Sequence, residues 1–469
     1  MKRNGHHQKT AASHHSFRSY YCPWPWRWNP LVNHFLTVIV ISLFVFGVEE
    51  KRIVVEMQSW SLDSFWAISH LVHRKPAISK DIFIVAITDS DYRNPQIFNS
   101  GSPLDPYKIK ELLAYVLSLD PAVVGVDLDT KDRTAWSAVV GNCTLKNGLP
   151  NEIYPISDHT AVVWARMPAE PGSHRPEPSE RPMQLYQVLG GCAGHTLDDF
   201  SGVPLFPLDA DGVVRKYVDQ FKVDSDLREK RKVGSLAYVI AAKKQPGLRP
   251  DPEKKILNFG RKKCFPQVAA GYLLGKPGNS DKSDDKCSID LDDWKRRVSG
   301  NIVLIGGEFE DSRDAHDSTP AEVFLPQPLY GVELNAMAID ADLHGGTITV
   351  VPKLAGLFAD LMAGTLFVWI FFRLLDSPLP PQVTKFLKRL AEIRILKILT
   401  PRQMLFLAAT ISTFLIAIIL SGGFYLASFW LSFIPILVGA NLHQYIAHLE
   451  RVGKEEKHTG AGRQSRVPN

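Results

Sequence analysis

Four long apolar stretches interrupt an otherwise mixed sequence, one near its start and three near its end. They cover residues 31–48, 354–372, 404–420 and 424–442. Each is close to the roughly 20 residues that an α-helix needs to cross about 30 Å of hydrocarbon. The pattern predicts four transmembrane helices, one N-terminal and three C-terminal, with a polar block at 50–352 between the first and the second.

The distribution of charge predicts the orientation of these helices. Residues 1–30 contain Lys and Arg but no acid, and the segments 373–403 and 443–469 are also basic. The positive-inside rule places all three in the cytoplasm and the block 50–352 outside. The first stretch exceeds the apolar region of a signal peptide, and Glu49 follows it in place of a small-residue cleavage site. An uncleaved anchor is therefore favoured over a cleaved signal peptide.

The periodicity changes within the exported block. Residues 53–73 have apolar positions at helical spacing, which predicts a stalk helix that continues out of the membrane. The short continuous apolar runs 82–88 and 122–128 are typical of strands buried on both faces, and 107–119 between them has helical spacing. Strand, helix and strand in this order predict a βαβ unit with parallel strands.

The alternation of strands and helices continues to the end of the block. Residues 275–293 are rich in Gly, Ser, Asp and Lys and predict a surface loop. The whole predicts a single exported α/β domain with a mostly parallel sheet. Its further elements are strands at 161–165, 255–259, 302–305 and 347–351, a longer polar strand of an antiparallel hairpin at 213–223, and helices at 235–242, 266–274 and 332–343.

Several motifs of this block resemble a known family. They are IFIVAITDSD (82–91), KIKELLAYVLSLDPAVVGVDLD (108–129), DGVVRKY (211–217), NIVLIGGEFEDSRDAHDSTP (301–320) and LYGVELNAMAIDADLHGG (329–346). Their order, between one apolar stretch and a cluster of three, is similar to the second class of CHASE domains, which are extracellular sensory modules of bacterial cyclases and kinases. The resemblance covers about residues 50–352. It implies a bacterial inner-membrane protein that senses a periplasmic stimulus and directs a cytoplasmic output.

The chain departs from that family at two places. Family members often carry a Trp- and Pro-rich stretch after the first strand, where residues 101–109 read GSPLDPYKI. Only a short basic tail follows the last apolar stretch, so we expect no attached cyclase or kinase domain. The first departure weakens the case for a shared ligand contact at 101–109. The second predicts a sensor without catalytic output of its own.

Polar residues follow the predicted strands at the edge where their carboxyl ends meet. Ligands of open parallel sheets bind beyond this edge, and convergent carboxylates suit a hard cation or a cationic small molecule. An Asp after a strand also serves as a helix cap or organises a turn, and this alternative stays open for each residue. Arg215 is expected to pair with one of these acids, and a structural ion pair is favoured over a substrate contact. The candidate ligand-binding residues are Asp89, Asp91, Asp127, Asp129, Asp314 and Asp317.

Four cysteines lie in the exported block, at Cys143, Cys192, Cys264 and Cys287. An even number in an oxidising compartment is compatible with two disulfides. Pairing of sequence neighbours, Cys143 with Cys192 and Cys264 with Cys287, is one of three connectivities. Four free thiols are the alternative.

Composition argues against several other classes of protein. The net charge of +5 is concentrated beside the apolar stretches, where it suits anionic membrane lipids rather than nucleic acid. The sequence has no phosphate-binding glycine loop, no zinc-ligand spacing and no nucleophile elbow beside His316, so we predict neither a cofactor nor enzymatic activity. Asp360 in the second apolar stretch is interpreted as a helix-packing residue rather than a transport group.

The leading hypothesis is a sensor or receptor-like membrane protein that forms a homodimer. Its periplasmic ligand is unknown, and its receiver is a separate cytoplasmic signalling protein. The basic amphipathic segment 382–397 is expected to lie on anionic lipid and to relay the signal to that protein. Two alternatives remain: an envelope structural or scaffold protein, and a small transporter or channel.

Overall fold

The computed structural model describes most of the polar block and one C-terminal segment. The predicted segments 1–30, 431–442 and 443–469 lie outside the described residues, as do Asp360 and most of 31–48 and 373–403. Backbone alone is described at 52–54, 70–72, 145–146, 149–150, 224, 230, 315–316, 401–406, 408–409 and 413. The described ranges are 51–72, 77–132, 134–136, 145–146, 149–150, 159–168, 185–186, 189, 199–209, 211–224, 230–251, 254–259, 263–276, 287, 289–310, 315–316, 329–352, 354–359, 361–362, 365–366, 385 and 401–430, with isolated positions at 36–47.

The described chain contains helices and strands, with a long run of short strands between residues 117 and 236. The helices are α1 Arg52–Val72, α2 Asp89–Arg93, α3 Pro106–Leu117, α4 Leu236–Lys244, α5 Ala270–Leu273, α6 Leu291–Val298, α7 Gly331–His344 and α8 Pro401–Leu426. The strands are β1 Ile82–Thr88, β2 Val123–Asp127, β3 Leu145–Lys146, β4 Leu149–Pro150, β5 Ala161–Ala165, β6 Ser201–Gly202, β7 Lys216–Tyr217, β8 Gln220–Asp224, β9 Lys230–Gly234, β10 Lys255–Ile256, β11 Gln267–Ala269, β12 Ile302–Glu308, β13 Ala315–His316, β14 Leu329–Tyr330, β15 Thr349–Val350 and β16 Phe429–Trp430.

Six of the strands form one parallel sheet in the order β11-β1-β12-β2-β5-β6. The central strands β1 and β12 pair along their whole length, from Ile82 opposite Ile302 to Thr88 opposite Glu308. Nearly every residue of β1, β2 and β12 is buried, which explains why these strands are continuous apolar runs in the sequence. The prediction of a mostly parallel α/β sheet is confirmed.

Helices cover both faces of this sheet. Ile82 and Ile84 contribute to the core under α1, α4 and α7, whereas Phe83 and Val85 contribute to the core under α3 and α6. The alternation follows from the two-residue period of a strand. On the second face Trp294 of α6 packs edge-on against Phe83, with ring centroids 6.3 Å apart. The domain therefore has two apolar layers separated by the sheet.

Several predicted elements are confirmed and others are wrong. The stalk helix α1 and the strands β1 and β5 agree with their predicted bounds to within one residue. Residues 266–274 instead form the edge strand β11 and the single turn α5, because 267–269 pair with β1. The predicted long strand 213–223 is divided into β7 and β8, and the antiparallel hairpin consists of β8 and β9. The predicted loop 275–293 includes the start of α6. Asp290 caps this helix, because its Oδ2 accepts a hydrogen bond from the backbone N of Asp292 at 3.2 Å.

Short strands connect the sheet domain with α8. β7 pairs antiparallel with β10, Ile256 of β10 forms a bridge with Ile348, and β15 pairs in parallel with β16, which follows α8. We call β7, β10, β15 and β16 the ribbon. Backbone bonds, such as Thr349 N to the Ser428 carbonyl at 3.0 Å, tie the end of α8 to the domain through this ribbon.

The boundaries of α8 differ from those predicted for the third and fourth apolar stretches. Residues 421–423, expected to separate the two stretches, are helical, and α8 ends only at Leu426. Residues 429–430 then form β16, where a fourth helix was expected to continue, because their backbone pairs with β15. Among the residues that the structure describes in full, no helix combines the length and the hydropathy needed to cross a membrane.

Candidate functional site

The carboxyl ends of β1, β12 and β2 meet at one edge of the sheet, which we call the carboxyl edge. The register pairs Thr88 of β1 with Glu308 of β12, and Gly306 of β12 with Asp127 of β2. A Cβ atom on Gly306 would lie 2.6 Å from that of Val332, so α7 lies directly against the end of β12. The side chains that follow these strands are therefore positioned by α2 and α7.

Asp91 is a structural cap at the carboxyl edge. Its Oδ2 accepts hydrogen bonds from the backbone N and the hydroxyl of Thr88, at 3.1 and 3.0 Å. Its Oδ1 accepts from the backbone N of Gly271 in α5 at 3.1 Å. Asp91 is 1% exposed, and this burial raises its pKa although the bonds from Thr88 and Gly271 oppose the rise. These contacts join β1 to α5 and favour the capping alternative for Asp91.

Asp127 and Asp129 have different surroundings. Asp127 is buried and accepts a hydrogen bond from Nδ2 of Asn335 in α7 at 2.8 Å. Asp129 is exposed, accepts from the backbone N of Lys131 at 3.0 Å and pairs with the Lys131 ammonium at 2.7 Å. Asp127 therefore ties β2 to α7, whereas Asp129 organises the turn after β2.

Asp89 belongs to an acidic surface around Tyr330. Burial raises the pKa of Tyr330, and the charges of four neighbouring carboxylates raise it further. Arg93 forms ion pairs with Asp89 at 3.5 Å and with Glu310 at 3.4 Å, and the backbone N of Glu310 donates to Asp89 at 3.2 Å. We call these carboxylates the acidic edge: Asp89, Glu308, Glu310 and Glu333.

The candidate residues Asp314 and Asp317 lie outside the described residues. The two residues between them, which form β13, pair antiparallel with β14, so that Ala315 lies opposite Tyr330. Within the described part of the chain, no group of three or more His, Cys, Asp or Glu side chains is arranged to hold a metal ion. Of the four predicted residues that the structure describes, Asp89 joins the acidic edge, while Asp91, Asp127 and Asp129 hold elements together.

A buried charge cluster joins α1 to the rest of the domain. Arg215 is 1% exposed, and its Nε and Nη2 donate to the two carboxylate oxygens of Asp63 in α1 at 3.0 and 2.8 Å. Its Nη1 and Nη2 also donate to Asp211 at 2.8 Å, and Nη1 donates to Asp209 at 3.2 Å. Lys216 pairs with Asp209 at 2.8 Å. We call these five residues the Arg215 cluster.

The partners of Arg215 differ from those expected. The prediction that it pairs with an acid of the carboxyl edge is wrong, because its partners come from α1 and from the turn before β7. Burial raises the pKa of Asp63, against the opposing effect of Arg215. Burial also acts to raise the pKa of Asp211, but the hydrogen bonds and charge of Arg215 outweigh it and the pKa is lowered.

Aromatic contacts join α1 to the C-terminal end of α8. Phe65 of α1 stacks on Tyr425 of α8 with ring centroids 5.8 Å apart, and meets Trp430 of β16 edge-on at 5.9 Å. The Tyr425 hydroxyl donates to Oδ1 of Asn258, just after β10, at 2.9 Å. A Cβ on Gly422 would lie 3.2 Å from the Phe65 ring, so the glycine permits this close packing. We call this meeting of α1, α8 and the ribbon the joint.

Cys264 and Cys287 form a disulfide, which is the second of the two neighbour pairs considered above. Cys264 is buried beside β11 and bridges Ile78, so the disulfide fixes the end of the segment before α6 to the sheet edge. Cys143 and Cys192 lie outside the described residues.

Sequence reasoning missed Asp63, Glu310, Glu333 and Tyr330. A signal for Asp63 was present, because it lies between Leu62 and Phe65 on the apolar face of the stalk helix. A charged residue on a buried face requires a buried partner, and Arg215 provides it. The acidic edge gave no comparable signal, since its members come from three separate segments.

The comparisons with known proteins agree with this architecture. The sequence profile of the CHASE2 domain matches residues 36–375, nearly three quarters of the chain. No curated protein and no solved structure is significantly similar to the chain.

Proposed function

We propose that this chain, which belongs to the CHASE2 domain family, is a transmembrane sensor whose α/β domain faces the periplasm of a bacterial cell. The family is one of extracellular sensory domains, which supports a domain outside the cytoplasm. The apolar stretches on either side of the domain and their basic flanks support the inner membrane as its location.

The observation that carries the proposal is the joint. α1 and α8 are the helices that would lead to the membrane, and both are fixed to the domain by specific contacts. Asp63 of α1 is held by the buried Arg215, and Tyr425 of α8 is held by Phe65 and Asn258. A displacement of the ribbon would therefore move the two helices relative to each other, as the relay of a sensor requires.

The carboxyl edge is the proposed place of ligand contact. Open parallel sheets bind ligands beyond this edge. The acidic edge favours a cationic ligand over an anionic one, since an anion would meet the like charges of Glu308, Glu310 and Glu333. The periplasmic ligand of this proposal is thus a cation, taken up beside Tyr330.

In this proposal the signal passes from the membrane helices to another protein. The receiver would be a separate cytoplasmic signalling protein that contacts the basic amphipathic segment 382–397, and this segment would also lie on anionic lipid. Two chains would act together as a homodimer. The α1 helix of one chain would then shift relative to the α1 helix of the other chain.

Thiol labelling of intact cells tests the proposed topology. The starting chain has Cys22, Cys143 and Cys192 replaced by Ser, which leaves only the disulfide pair. Tyr107 on α3 is 57% exposed, and Tyr107→Cys should react with a maleimide that cannot cross the inner membrane once the outer membrane is permeabilised. Lys385→Cys is the matched control and should react only after lysis. Protection of Tyr107→Cys after the outer membrane is permeabilised, or labelling of Lys385→Cys before lysis, would refute the topology.

A further inference from the structure

A second buried charge cluster lies in the ribbon. Lys255 of β10 donates to the two oxygens of Asp219 at 2.9 and 2.7 Å, and to Oδ1 of Asp342 in α7 at 2.8 Å. The Tyr217 hydroxyl of β7 donates to the same Oδ1 at 2.8 Å. The side chains of Asp219 and Asp342 are each 1% exposed. We call these four residues the Lys255 cluster.

This cluster contains one carboxylate more than it has cations. Asp219 and Asp342 share the single ammonium of Lys255, and Tyr217 is neutral. The second oxygen of Asp342, Oδ2, is buried and has no hydrogen-bond partner among the described residues. A buried carboxylate oxygen without a donor is costly, and a proton on that oxygen would remove both the charge and the cost.

In the described part of the chain, the other groups near Asp342 supply no second cation. Tyr238 of α4 is neutral and donates its hydroxyl to the Leu248 carbonyl at 3.1 Å. Asp251 adds a further negative charge nearby, and its backbone N donates to Asp219 at 2.7 Å. On α7 itself, Asp340 pairs with Lys263 at 2.8 Å and with His344 at 2.9 Å, in a separate group.

We propose that Asp342 is a proton-binding site, and that a proton taken up there from the surrounding medium tightens the joint. With Asp342 protonated, Asp219 and Lys255 remain as one neutral buried pair. With Asp342 ionised, the cluster has an excess buried charge that is relieved only when α7 and β10 separate enough to admit water. Acid therefore favours the closed arrangement, and proton release favours opening.

The direction of the pH effect follows from burial. Burial raises the pKa of Asp342, and the charge of Asp219 raises it further, against the opposing bonds from Lys255 and Tyr217. In an opened state the pKa of this carboxyl returns towards 3.8. The stabilisation of the closed state is complete below that value and is lost as the pH rises from there through the raised pKa.

The Lys255 cluster is placed to act on α8. β10 carries Lys255 and also Ile256, whose bridge to Ile348 leads to β15 and β16. Asn258, three residues after Lys255, accepts the hydrogen bond from Tyr425 of α8. Opening between α7 and β10 would release both connections. This consequence for signalling rests on the proposed function, whereas the proton site rests on the cluster alone.

Hydrogen exchange of the full chain in lipid nanodiscs, corrected for the intrinsic effect of pH on exchange, tests the proposal between pH 4 and 8. In the wild type, peptides that cover 255–259 and 338–344 should lose protection as the pH rises, by up to about tenfold per pH unit, and should level off above the raised pKa. Asp342→Asn mimics the protonated carboxyl and should keep high protection at every pH. Asp293→Asn on α6, which removes a carboxylate on the other side of the sheet, should retain the wild-type profile.

A second variant keeps the test decisive if Asp342→Asn does not fold. Tyr217→Phe removes a hydrogen-bond donor that favours the ionised carboxyl of Asp342. The pH above which the loss of protection levels off should therefore move about one unit higher. Two results would overturn the proton site. One is unchanged protection in the wild type between pH 4 and 8, and the other is a loss of protection that levels off at the same pH in Tyr217→Phe as in the wild type. Neither result bears on thiol labelling, which tests the sensor topology separately.

Discussion

Arg215→Met should destabilise the domain by about 3–5 kcal/mol, the usual cost of leaving one buried charge without its partner. The variant loses all five hydrogen bonds of the guanidinium but keeps much of its apolar volume. The penalty should fall mainly on Asp63, whose side chain is 4% exposed. Asp211 is 37% exposed and can be hydrated, and Asp209 retains Lys216 at 2.8 Å.

Thermal unfolding of the full chain in nanodiscs measures this effect. At roughly 2–4 °C per kcal/mol, Arg215→Met should lower the Tm by roughly 6–20 °C. The double variant Asp63→Leu, Arg215→Met removes both charges and should recover most of the loss, because apolar replacement of a buried ion pair is often neutral or stabilising. If the double variant is as unstable as Arg215→Met, an uncompensated Asp63 is not the cause. The deficit of Arg215→Met should also shrink as the pH falls, since Asp63, whose pKa is already raised, takes up a proton.

Three further predictions concern other parts of the fold. Phe65→Ala should lower the free energy of unfolding by about 3–5 kcal/mol, because the ring packs against Tyr425 and Trp430. It should also release the end of α8, which faster hydrogen exchange at 421–430 would show. Unchanged exchange there would contradict the joint. Gly306→Ala should lower the free energy of unfolding by about 1–3 kcal/mol, since its Cβ would lie 2.6 Å from that of Val332, and chemical denaturation measures this against Gly356→Ala, which meets nothing within 4 Å. Asp211 has a lowered pKa, so its stabilisation is present above about pH 4 and is lost as the pH falls through that lowered value; Asp211→Asn should flatten this part of the stability profile, and a wild-type profile in the variant would refute the assignment.

The sheet was predictable from the sequence, whereas the joint was not. β1 and β12 are buried on both faces, so each is an uninterrupted apolar run that stands out from its surroundings. The sequence predicted strands at 255–259 and 347–351, where β10 and β15 lie, but the strands of the ribbon are only two residues long and no pattern indicates which of them pair. Their partners are fixed by contacts between distant segments, such as Thr349 with Phe429.

The candidate site likewise divides into contacts that the sequence could predict and contacts that it could not. Thr88 at the end of β1 is the N-cap of α2, and Asp91 completes the capping box by accepting from the Thr88 backbone N. Asp residues that follow a strand often have such a capping role, so the sequence alone could state this alternative. The position of Asp89 near Glu310 and Glu333 depends on how α7 lies against the end of β12. Only the structure provides that packing, because no local pattern of residues records it.

In the proposed sensor, the two buried charge clusters would make the joint a switch rather than a fixed support. The bidentate bond of Arg215 to Asp63 holds one orientation of α1. Arg215 lies two residues before Tyr217, so a shift of β7 in the Lys255 cluster must reach the Arg215 cluster through the backbone. Each cluster also has one carboxylate in excess. In the Arg215 cluster Asp211 is exposed enough to be hydrated, whereas in the Lys255 cluster the unpartnered oxygen of Asp342 is buried, so only the Lys255 cluster gains from taking up a proton.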